Sequence, residues 1–365
     1  MTTTSPGQKM HVGVVFGGRS VEHKVSVVSA RTVAAALDEA GYGVVPLGIA
    51  QDGCWVERGA SERALSGEVD ALSPVGGRPA ASLRHLLEAP LDAVFPIVHG
   101  TWGEDGTLQG LFETLDLPYV GTGVASSAVC MDKALAKQVL SANSVPVVDY
   151  ELVTRRQMAD SEAVLERIRR LPLPIFVKPC VGGSSVGVVK VTAWEDLHSA
   201  LDFALRFDDR LVVEQGIDGR ELECAVLGYG ELRASGIGEI VPGKDFYDYA
   251  DKYLEDGAQL IHRADLPAER SEELRALAIR AFEATDGWGM ARVDFLLGDA
   301  GLFVNEINTL PGFTAISMYP KLWEAEGLPP AALVDRLVEA ALRRHRDRRR
   351  LDEGIKGWIT ELAGG

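Results

Sequence analysis

The segment Phe176-Val177-Lys178-Pro179-Cys180-Val181-Gly182-Gly183-Ser184-Ser185-Val186-Gly187 carries the strongest local signal in the sequence. An apolar strand delivers Lys178, and a loop of glycines and serines joins it to the next strand. Glycine lets backbone N–H groups approach an anion, serine hydroxyls add donors, and lysine supplies a point charge for a phosphate. The lysine precedes the glycines and no helix follows at once, which excludes a Walker A loop. The segment indicates a phosphate site, with a hairpin turn carrying a surface lysine as the alternative.

A second signal lies on two neighbouring strands predicted at residues 291–297 and 302–307. Alternate residues of a strand share one face, so Glu306 and Asn308 point into one site, where Asp294 meets them. Three oxygen donors without His or Cys suit Mg²⁺ rather than zinc. Arg292 faces the same site, and a cation beside metal-binding carboxylates suits a transferring phosphoryl group. A polar exposed strand face is the weaker alternative, because the intervening residues are apolar.

Five further positions carry weaker signals. Gly312 lies in a turn after these strands and offers a backbone N–H to a developing oxyanion. Glu214 and Glu221 bracket a glycine-containing turn, where they suit an adenine amino group and ribose hydroxyls; solvated loop glutamates are the alternative. Glu22 opens a helix and suits a substrate ammonium. His99, among glycines and acids at a strand end, suits a substrate contact.

Around these motifs the chain alternates strands with helices, as in an α/β layer followed by an α+β region. Residues 58–82, rich in Gly, Ser, Ala and Pro, are interpreted as a variable surface region. The elements predicted in chain order are strand 12–16, helix 21–40, strands 44–49 and 93–98, helices 132–143 and 162–170, strands 175–178 and 187–191, helix 194–207, strands 211–215 and 223–227, helix 271–286, strands 291–297 and 302–307, and helix 331–346.

The length and net charge of the chain limit its domain count and the kinds of partner that it can bind. The 365 residues suggest two to three domains of about 150 residues each. Lys and Arg total 37 and Asp and Glu total 53, a net charge of −16 that argues against nucleic-acid partners. A local basic pocket remains compatible with an anionic ligand. The basic run 343–350 is interpreted as the solvated end of a helix, with an RNA or membrane patch as the alternative.

The cysteines and the apolar runs indicate a cytoplasmic protein. The four cysteines are widely spaced, without a zinc or disulfide signature, so four reduced thiols are expected. The sequence contains no run of about 18 apolar residues, so no membrane span is predicted. The N-terminus lacks the apolar core of a signal peptide.

In their order along the chain, the motifs resemble the D-alanine–D-alanine ligases of the ATP-grasp superfamily. The resemblance extends from about residue 12 to residue 342. The motifs that carry it are Gly17-Gly18-Arg19-Ser20 with Glu22, His99-Gly100 with Gly103-Glu104-Asp105-Gly106, Gly121-Thr122-Gly123, Cys130-Met131-Asp132-Lys133, Lys178-Pro179 with Gly183-Ser184-Ser185, Phe246-Tyr247-Asp248-Tyr249 with Lys252-Tyr253, Arg292-Val293-Asp294, Asn305-Glu306-Ile307-Asn308-Thr309, and Ser317-Met318-Tyr319-Pro320.

The resemblance implies an architecture in three parts. An N-terminal open parallel-sheet (pre-ATP-grasp) domain, residues 1–125, would supply the first amino-acid subsite. A two-part ATP-grasp fold would follow, with a central subdomain at 126–217 and a C-terminal subdomain at 218–365 that holds the metal site and a mobile loop. The resemblance also suggests a homodimer.

The resemblance further implies a reaction and a role for each candidate residue. ATP would phosphorylate one D-alanine, and the amino group of a second would attack the acylphosphate, giving D-alanyl-D-alanine for peptidoglycan. The implied roles are Lys133, Lys178, Ser184, Ser185 and Lys252 at the phosphates, Glu214 and Glu221 at adenine and ribose, Asp294, Glu306 and Asn308 around two Mg²⁺ or Mn²⁺ ions, Arg292 and Gly312 at the oxyanion, Glu22 and His99 at the first D-alanine, Ser317 at the second carboxylate, and a latch of Tyr253, Ser184 and Glu22.

Several alternatives stay open beside this reading. A ligase that makes D-alanyl-D-lactate is disfavoured by Tyr253, whereas D-serine selectivity is harder to exclude. Another ATP-grasp ligase, such as a carboxylase, would leave the N-terminal motifs unexplained. An inactive paralogue would be expected to lose a metal ligand or Arg292. The loop Cys180-Val181-Gly182 departs from the family pattern, so loop mobility and ATP affinity are expected to differ.

Overall fold

Three β-sheets organise the part of the chain that the computed structural model describes, residues 9–242 and 259–364. The first sheet is parallel, and the other two are antiparallel. One sheet falls within each of the three predicted domain ranges. The boundaries of these domains stay predictions.

The first sheet has the strand order β2-β1-β3, and its strands are nearly continuous runs of buried apolar residues. The elements of this part are β1 (His11–Gly17), α1 (His23–Glu39), β2 (Gly43–Ile49), α2 (Arg58–Leu65), α3 (Pro79–Ser82), α4 (Arg84–Leu87), β3 (Ala93–Pro96) and α5 (Thr107–Thr114). Because β1 and β3 are parallel, the loops that carry Glu22 and His99 leave the same edge of the sheet.

The region interpreted as variable surface, residues 58–82, contains two short helices that the sequence did not predict. It contains α2 and α3, and Ser61 and Ala64 of α2 are buried. The backbone N–H of Gly48 in β2 donates to the Ser61 hydroxyl at 2.9 Å, which ties α2 to the sheet. The weak apolar pattern of this segment concealed the helix from the sequence.

The second sheet has the order β4-β7-β5-β6. The elements of this part are α6 (Val124–Met131), α7 (Lys133–Ala142), β4 (Tyr150–Thr154), α8 (Ser161–Ile168), β5 (Ile175–Pro179), β6 (Val189–Val191), α9 (Leu197–Ala204) and β7 (Arg210–Gln215), with short 3₁₀ turns at Arg155–Asp160 and Trp194–Asp196. Asp132 caps α7, since its carboxylate accepts the N–H groups of Ala134 and Leu135 at 3.0 Å. This cap fixes the position of Lys133 in the first turn of the helix.

The third sheet has the order β10-β9-β8-β11-β12. The elements of this part are β8 (Gly219–Tyr229), β9 (Glu231–Val241), β10 (Gln259–Ile261), α10 (Ala268–Ala284), β11 (Gly289–Gly298), β12 (Gly301–Asn308), α11 (Met318–Ala325) and α12 (Pro330–Gly364). Strand β9 escaped prediction because its glycines and charges weaken the apolar alternation. Helix α12 runs 18 residues beyond its predicted end at 346.

The N-terminal sheet and the last helices share one core. Leu37 of α1 and Leu333 and Leu337 of α12 belong to the same buried cluster. The Tyr42 hydroxyl donates to Asp335 of α12 at 2.6 Å. The first half of α12 is therefore built into the body of the protein.

Two expectations from the sequence concern cysteines and membranes. All four cysteines are buried free thiols, as predicted. Among the helices of the described residues, none combines the length and the apolar character needed to span a bilayer.

Candidate functional site

A cleft of about 1780 Å³ lies where loops from all three sheets meet. Every predicted site residue that the structure describes lines it. These residues are Glu22, His99, Lys133, Lys178, Ser184, Ser185, Glu214, Glu221, Arg292, Asp294, Glu306, Asn308, Gly312 and Ser317. The predicted mobile-loop residues Lys252 and Tyr253 lie outside the described residues.

Glu22 and Ser184 connect the N-terminal loop with the Gly/Ser loop. The Ser184 hydroxyl donates to Glu22 Oε1 at 2.5 Å. Glycines flank this carboxylate closely, because a Cβ at Gly100 or Gly183 would lie 2.7 or 3.2 Å from Glu22 Oε2. Ser184 and Ser185 have φ values of 51° and 57°, a left-handed conformation that non-glycine residues seldom adopt. Strained serines at a cleft are consistent with the predicted ligand-binding loop.

His99 is held as a neutral imidazole at the base of this region. Its Nδ1 lies 3.0 Å from the carbonyl of Leu310, to which Nδ1–H donates, and Nε2 accepts from the Ser29 hydroxyl at 3.0 Å. Burial lowers the pKa of His99, against the opposing effect of the Glu22 charge. His99 therefore orients the loop of Leu310 beside the cleft.

Glu104 is a site residue that the sequence analysis did not single out. Its Oε1 accepts the backbone N–H of Gly100 at 2.6 Å and lies 3.9 Å from His99 Nδ1. Burial, and then the charge of Glu22, raise the pKa of Glu104 to about 8. The motif after His99 contained this residue, but spacing alone gave no sign of its burial.

Two lysines enclose the carboxylate of Glu214. Lys178 of β5 lies 2.6 Å from Glu214 Oε2, and Lys137 of α7 lies 3.1 Å from Oε1. Glu214 lies in strand β7 and its side chain is 3% exposed, so the solvated-loop alternative is wrong for this residue. Burial would raise the pKa of Glu214, but the two lysine charges outweigh it and lower the pKa to about 2.

Lys137 was missed by sequence reasoning, although a signal existed. It lies four residues after Lys133, on the same face of α7. Its side chain is 3% exposed, and burial lowers its pKa. The pKa of Lys178, by contrast, is raised because Glu214 outweighs the effect of burial. Lys133 itself donates from Nζ to the carbonyl of Gly182 at 2.6 Å, next to the Gly/Ser loop.

Arg292 lies among carboxylates on strands β8 and β11. Its Nε and Nη2 donate to the two oxygens of Asp294, both at 2.7 Å, and Nε lies 3.2 Å from Glu223 Oε1. Burial would lower the pKa of Arg292, but Asp294 and then Glu223 raise it well above its ordinary value. Glu223, buried on β8, is a further site residue that the sequence analysis missed. The guanidinium is thus a permanent positive charge in the cleft.

The predicted metal ligands lie on one face of β11 and β12. Asp294 is directly opposite Glu306 in the antiparallel pair, and Arg292 is opposite Asn308. The Asn308 amide also donates to Asp294 at 2.9 Å. Asp294 already has a counter-charge in Arg292, so the strand pair gathers two carboxylates, an amide and a guanidinium on one face.

The chemistry of this donor set fits Mg²⁺ bound together with a nucleotide. Two carboxylates and an amide oxygen are hard donors, and Mg²⁺ is commonly held by one or two carboxylates plus substrate phosphates. Within residues 9–242 and 259–364, no group of three or more His, Cys, Asp or Glu side chains is placed to hold a metal by itself. The site therefore suits a cation that phosphate oxygens help to coordinate.

Gly312 and Ser317 are neighbours that also line the cleft. The Ser317 hydroxyl accepts the N–H of Thr314 at 2.9 Å. Ser317 precedes the first turn of α11. A Cβ on Gly312 would lie 2.9 Å from Ser317 Oγ. The predicted oxyanion donor and the predicted carboxylate-binding hydroxyl are therefore adjacent.

Comparison with protein families matches two regions that together cover most of the chain. Residues 11–122 match the family described as D-ala D-ala ligase N-terminus. Residues 139–339 match the family described as D-ala D-ala ligase C-terminus.

Curated relatives match over nearly their whole length. The D-alanine–D-alanine ligase of Solibacter usitatus is 47% identical over 342 residues, covering 93% of this chain and 98% of the relative. D-alanine–D-alanine ligase A of Chromobacterium violaceum is 47% identical, covering 95% and 98%. The D-alanine–D-alanine ligase of Mycolicibacterium vanbaalenii is 45% identical, covering 92% of this chain and 98% of the relative.

Solved structures of similar proteins agree with the predicted fold. The D-alanine-D-alanine ligase from Coxiella burnetii is 39% identical with a TM-score of 0.81, covering 96% of this chain and 99% of that one. The VanG D-Ala:D-Ser ligase from Enterococcus faecalis is 33% identical with a TM-score of 0.78, covering 92% and 100%. The predicted fold class, a parallel-sheet domain followed by an ATP-grasp fold, is confirmed.

Proposed function

Because the chain belongs to the D-alanine–D-alanine ligase family, we propose that it joins two D-alanines to D-alanyl-D-alanine with ATP, using the residues of the cleft in the roles given below. The product is a peptidoglycan precursor, and the ATP-dependent reaction is proposed to take place in the cytoplasm. The single observation that carries the proposal is the meeting of Lys178, Arg292 and the Asp294–Glu306 pair in one cleft with the Glu22–Ser184 contact.

In the first step, a carboxylate oxygen of one D-alanine attacks the γ-phosphorus of ATP. A new O–P bond forms, the bond from the γ-phosphorus to the bridging oxygen breaks, and ADP leaves with the electron pair. Phosphoryl transfer depends on positioning and charge neutralisation. Lys133 and Lys178 hold phosphates, helped by Ser184 and Ser185.

In the second step, the amino nitrogen of the other D-alanine attacks the acyl carbon. A C–N bond forms, the tetrahedral intermediate loses phosphate as its C–O bond breaks, and the nitrogen loses a proton. Arg292 and the N–H of Gly312 stabilise the oxyanion, since fixed donors in a site shielded from water are effective there. Arg292 suits this role because its neighbours keep it charged.

Two groups of cleft residues are assigned to the two amino-acid subsites. Glu22 binds the ammonium of the first D-alanine, and His99 keeps the adjacent loop in place. Ser317 binds the carboxylate of the second D-alanine beside Gly312. Glu214 and Glu221 face the adenine and ribose. The family resemblance assigns Lys252 and Tyr253 to the exclusion of water, because water would hydrolyse the acylphosphate.

Asp294, Glu306 and Asn308 are proposed to hold two Mg²⁺ ions, for which Mn²⁺ can substitute. When bound, these ions neutralise charge on the transferring phosphoryl group. The position of the two carboxylates and the amide on one face of the strand pair supports this assignment. Two copies of the chain are further proposed to associate, which rests on the family resemblance.

The proposal is tested by identifying the product of the purified chain. Mg²⁺, ATP, D-alanine, D-serine and D-lactate are offered together, and products are separated by mass spectrometry. We expect D-alanyl-D-alanine as the main product, with one phosphate released per dipeptide. D-alanyl-D-serine or D-alanyl-D-lactate as the main product would overturn the assignment of the second substrate. No phosphate release with D-alanine alone would overturn the dipeptide reaction.

A further inference from the structure

Helix α7 carries a lysine on its buried face. The buried residues of this helix are Ala134, Ala136, Lys137 and Leu140. The Lys137 side chain is 3% exposed, and the residue is not among those that line the cleft. Lysine is almost never fully buried unless it is paired, because removing an ammonium from water is unfavourable. A buried charge next to the cleft, but outside its lining, therefore needs an explanation.

The ammonium of Lys137 lies beside the carboxylate of Glu214. Its Nζ is 3.1 Å from Glu214 Oε1 and 5.9 Å from the centre of the Tyr150 ring. Tyr150 is directly opposite Glu214 in the pair formed by β4 and β7. Helix α7 thus brings Lys137 to the part of the second sheet where Glu214 reaches the cleft.

The same carboxylate also binds Lys178, which is proposed to hold a phosphate of ATP. Nζ of Lys178 lies 2.6 Å from Glu214 Oε2, and this side chain is 17% exposed and lines the cleft. Burial lowers the pKa of Lys178, but Glu214 and, more weakly, Glu306 outweigh that effect and raise it. The carboxylates around Lys178 therefore compete with a phosphate for a single positive charge.

We propose that Lys137 is a positioning residue for nucleotide binding, whose charge neutralises Glu214 and so leaves the charge of Lys178 available to a phosphate. The inference rests on the proposed phosphate-binding role of Lys178. The cluster holds two ammonium groups and one carboxylate, so one positive charge remains for the nucleotide. Without Lys137, a phosphate would have to draw Lys178 away from a buried carboxylate that has no further ion pair among the described residues.

A purely structural role explains the second lysine less well. One lysine is enough to balance the charge of Glu214, and Lys178 supplies it at the shorter distance. Burying a further ammonium has a desolvation penalty that an already paired carboxylate offsets only in part. The extra charge becomes useful when Lys178 turns to a phosphate, because Glu214 then keeps one partner.

Calorimetric titration of ADP, with Mg²⁺ present, into the full chain tests this proposal. Lys137→Met is expected to weaken ADP binding about tenfold or more, the scale of one contact between charged groups. The variant should fold, because Glu214 keeps Lys178 as its partner. Lys137→Gln is a second neutral variant with the same expected effect, and Lys137→Arg, which keeps the charge, should bind ADP more tightly than either.

Lys356→Met is the matched control for the loss of a lysine. Lys356 lies on the exposed second half of α12, so the substitution makes the same change of charge and shape away from the cleft. This variant should bind ADP as tightly as the wild type does.

Steady-state kinetics separates positioning from a loss of folded protein. In Lys137→Met the KM for ATP is expected to rise about tenfold, whereas the KM for D-alanine should keep its wild-type value. A variant that is only partly folded would instead show a lower kcat with unchanged KM values, because KM reports on the molecules that remain folded. That pattern would leave Lys137 with a structural role and overturn the proposal.

A double-mutant cycle tests whether Lys137 acts through Glu214. ADP binding is compared at a temperature where circular dichroism shows that Glu214→Gln is folded. In that background Lys137→Met should weaken ADP binding no further, because no carboxylate charge is left to neutralise. A further loss of the same size as in the wild type would show that Lys137 acts on the nucleotide by itself, which would overturn the proposed mechanism.

The affinity of the wild type for ADP distinguishes this proposal from the proposed function. A wild type that does not bind ADP would overturn both. A wild type that binds ADP no more tightly than Lys137→Met would leave the ligase function in place and overturn the role given to Lys137.

Discussion

The hydroxyl of Ser184 donates a 2.5 Å hydrogen bond to the carboxylate of Glu22, and so joins two loops that are far apart in the sequence. Glu22 follows a strand of the N-terminal parallel sheet, whereas Ser184 lies in the Gly/Ser loop of the second sheet. The N-terminal loop and the Gly/Ser loop are thus joined by a charge-assisted contact.

Ser184→Ala is expected to lower kcat about tenfold to a hundredfold, because a hydrogen bond to a charged group is lost from the site. Steady-state phosphate release measures the effect. Combining Ser184→Ala with Glu22→Gln should cost little more than the worse single variant, since both remove one contact. Fully additive losses would show that the two residues act independently.

The sequence predicted most of the fold because apolar periodicity and intervening glycines mark most elements of the three sheets. The strand carrying Lys178 and the strand pair with Asp294 and Glu306 were found with nearly the observed limits. Strand β9 was missed because its pattern is broken by glycines. The full extent of α12 was missed because the basic run and two glycines resemble the end of a helix.

The candidate site was predictable where chemistry is carried by short motifs, and less so where it depends on burial. Lys178, Arg292 and the proposed metal ligands were found from local spacing. Lys137 and Glu223 were not, because only the tertiary structure shows that a lysine and a glutamate are buried beside opposite charges. Local patterns carry no measure of burial at a polar residue.

Glu214→Gln is expected to destabilise the protein by about 3–5 kcal/mol, because the buried Lys137 and the partly buried Lys178 lose their counter-charge. Urea denaturation at pH 7 measures the change in the free energy of unfolding. Adding Lys137→Met should recover part of the loss, since it removes one uncompensated charge. An unchanged unfolding midpoint in Glu214→Gln would contradict the burial of this ion pair.

Acid is expected to lower the free energy of unfolding of the wild type through protonation of Glu214. The pKa of Glu214 is about 2 in the folded chain and 4.5 ordinarily, so the unfolded state binds the proton more readily. Its stabilising contribution is complete above pH 4.5 and is lost as the pH falls toward 2. Denaturation curves over this range should show a smaller pH dependence for Glu214→Gln than for the wild type.

The free energy of unfolding of the wild type is expected to fall as the pH rises, and this fall should be smaller in Glu104→Gln. The pKa of Glu104 is about 8 in the folded chain against an ordinary 4.5, so the folded state binds the proton more tightly. The contribution of this group to stability is therefore greatest below pH 4.5 and declines up to about pH 8. Glutamine keeps an acceptor for the Gly100 N–H but does not titrate. Melting temperatures between pH 5 and pH 8 test this, and parallel curves for the two proteins would refute it.

Glu306→Gln is expected to reduce turnover about a hundredfold or more while leaving the fold intact, because it removes a carboxylate from the proposed cation site. Calorimetric titration of Mn²⁺ into the protein with ADP should show weaker cation binding, a readout that does not depend on turnover.

Asp299→Asn is the matched control, since it removes the same charge from the exposed turn of the same hairpin. Full activity with unchanged Mn²⁺ affinity in Glu306→Gln would remove this residue from the metal site.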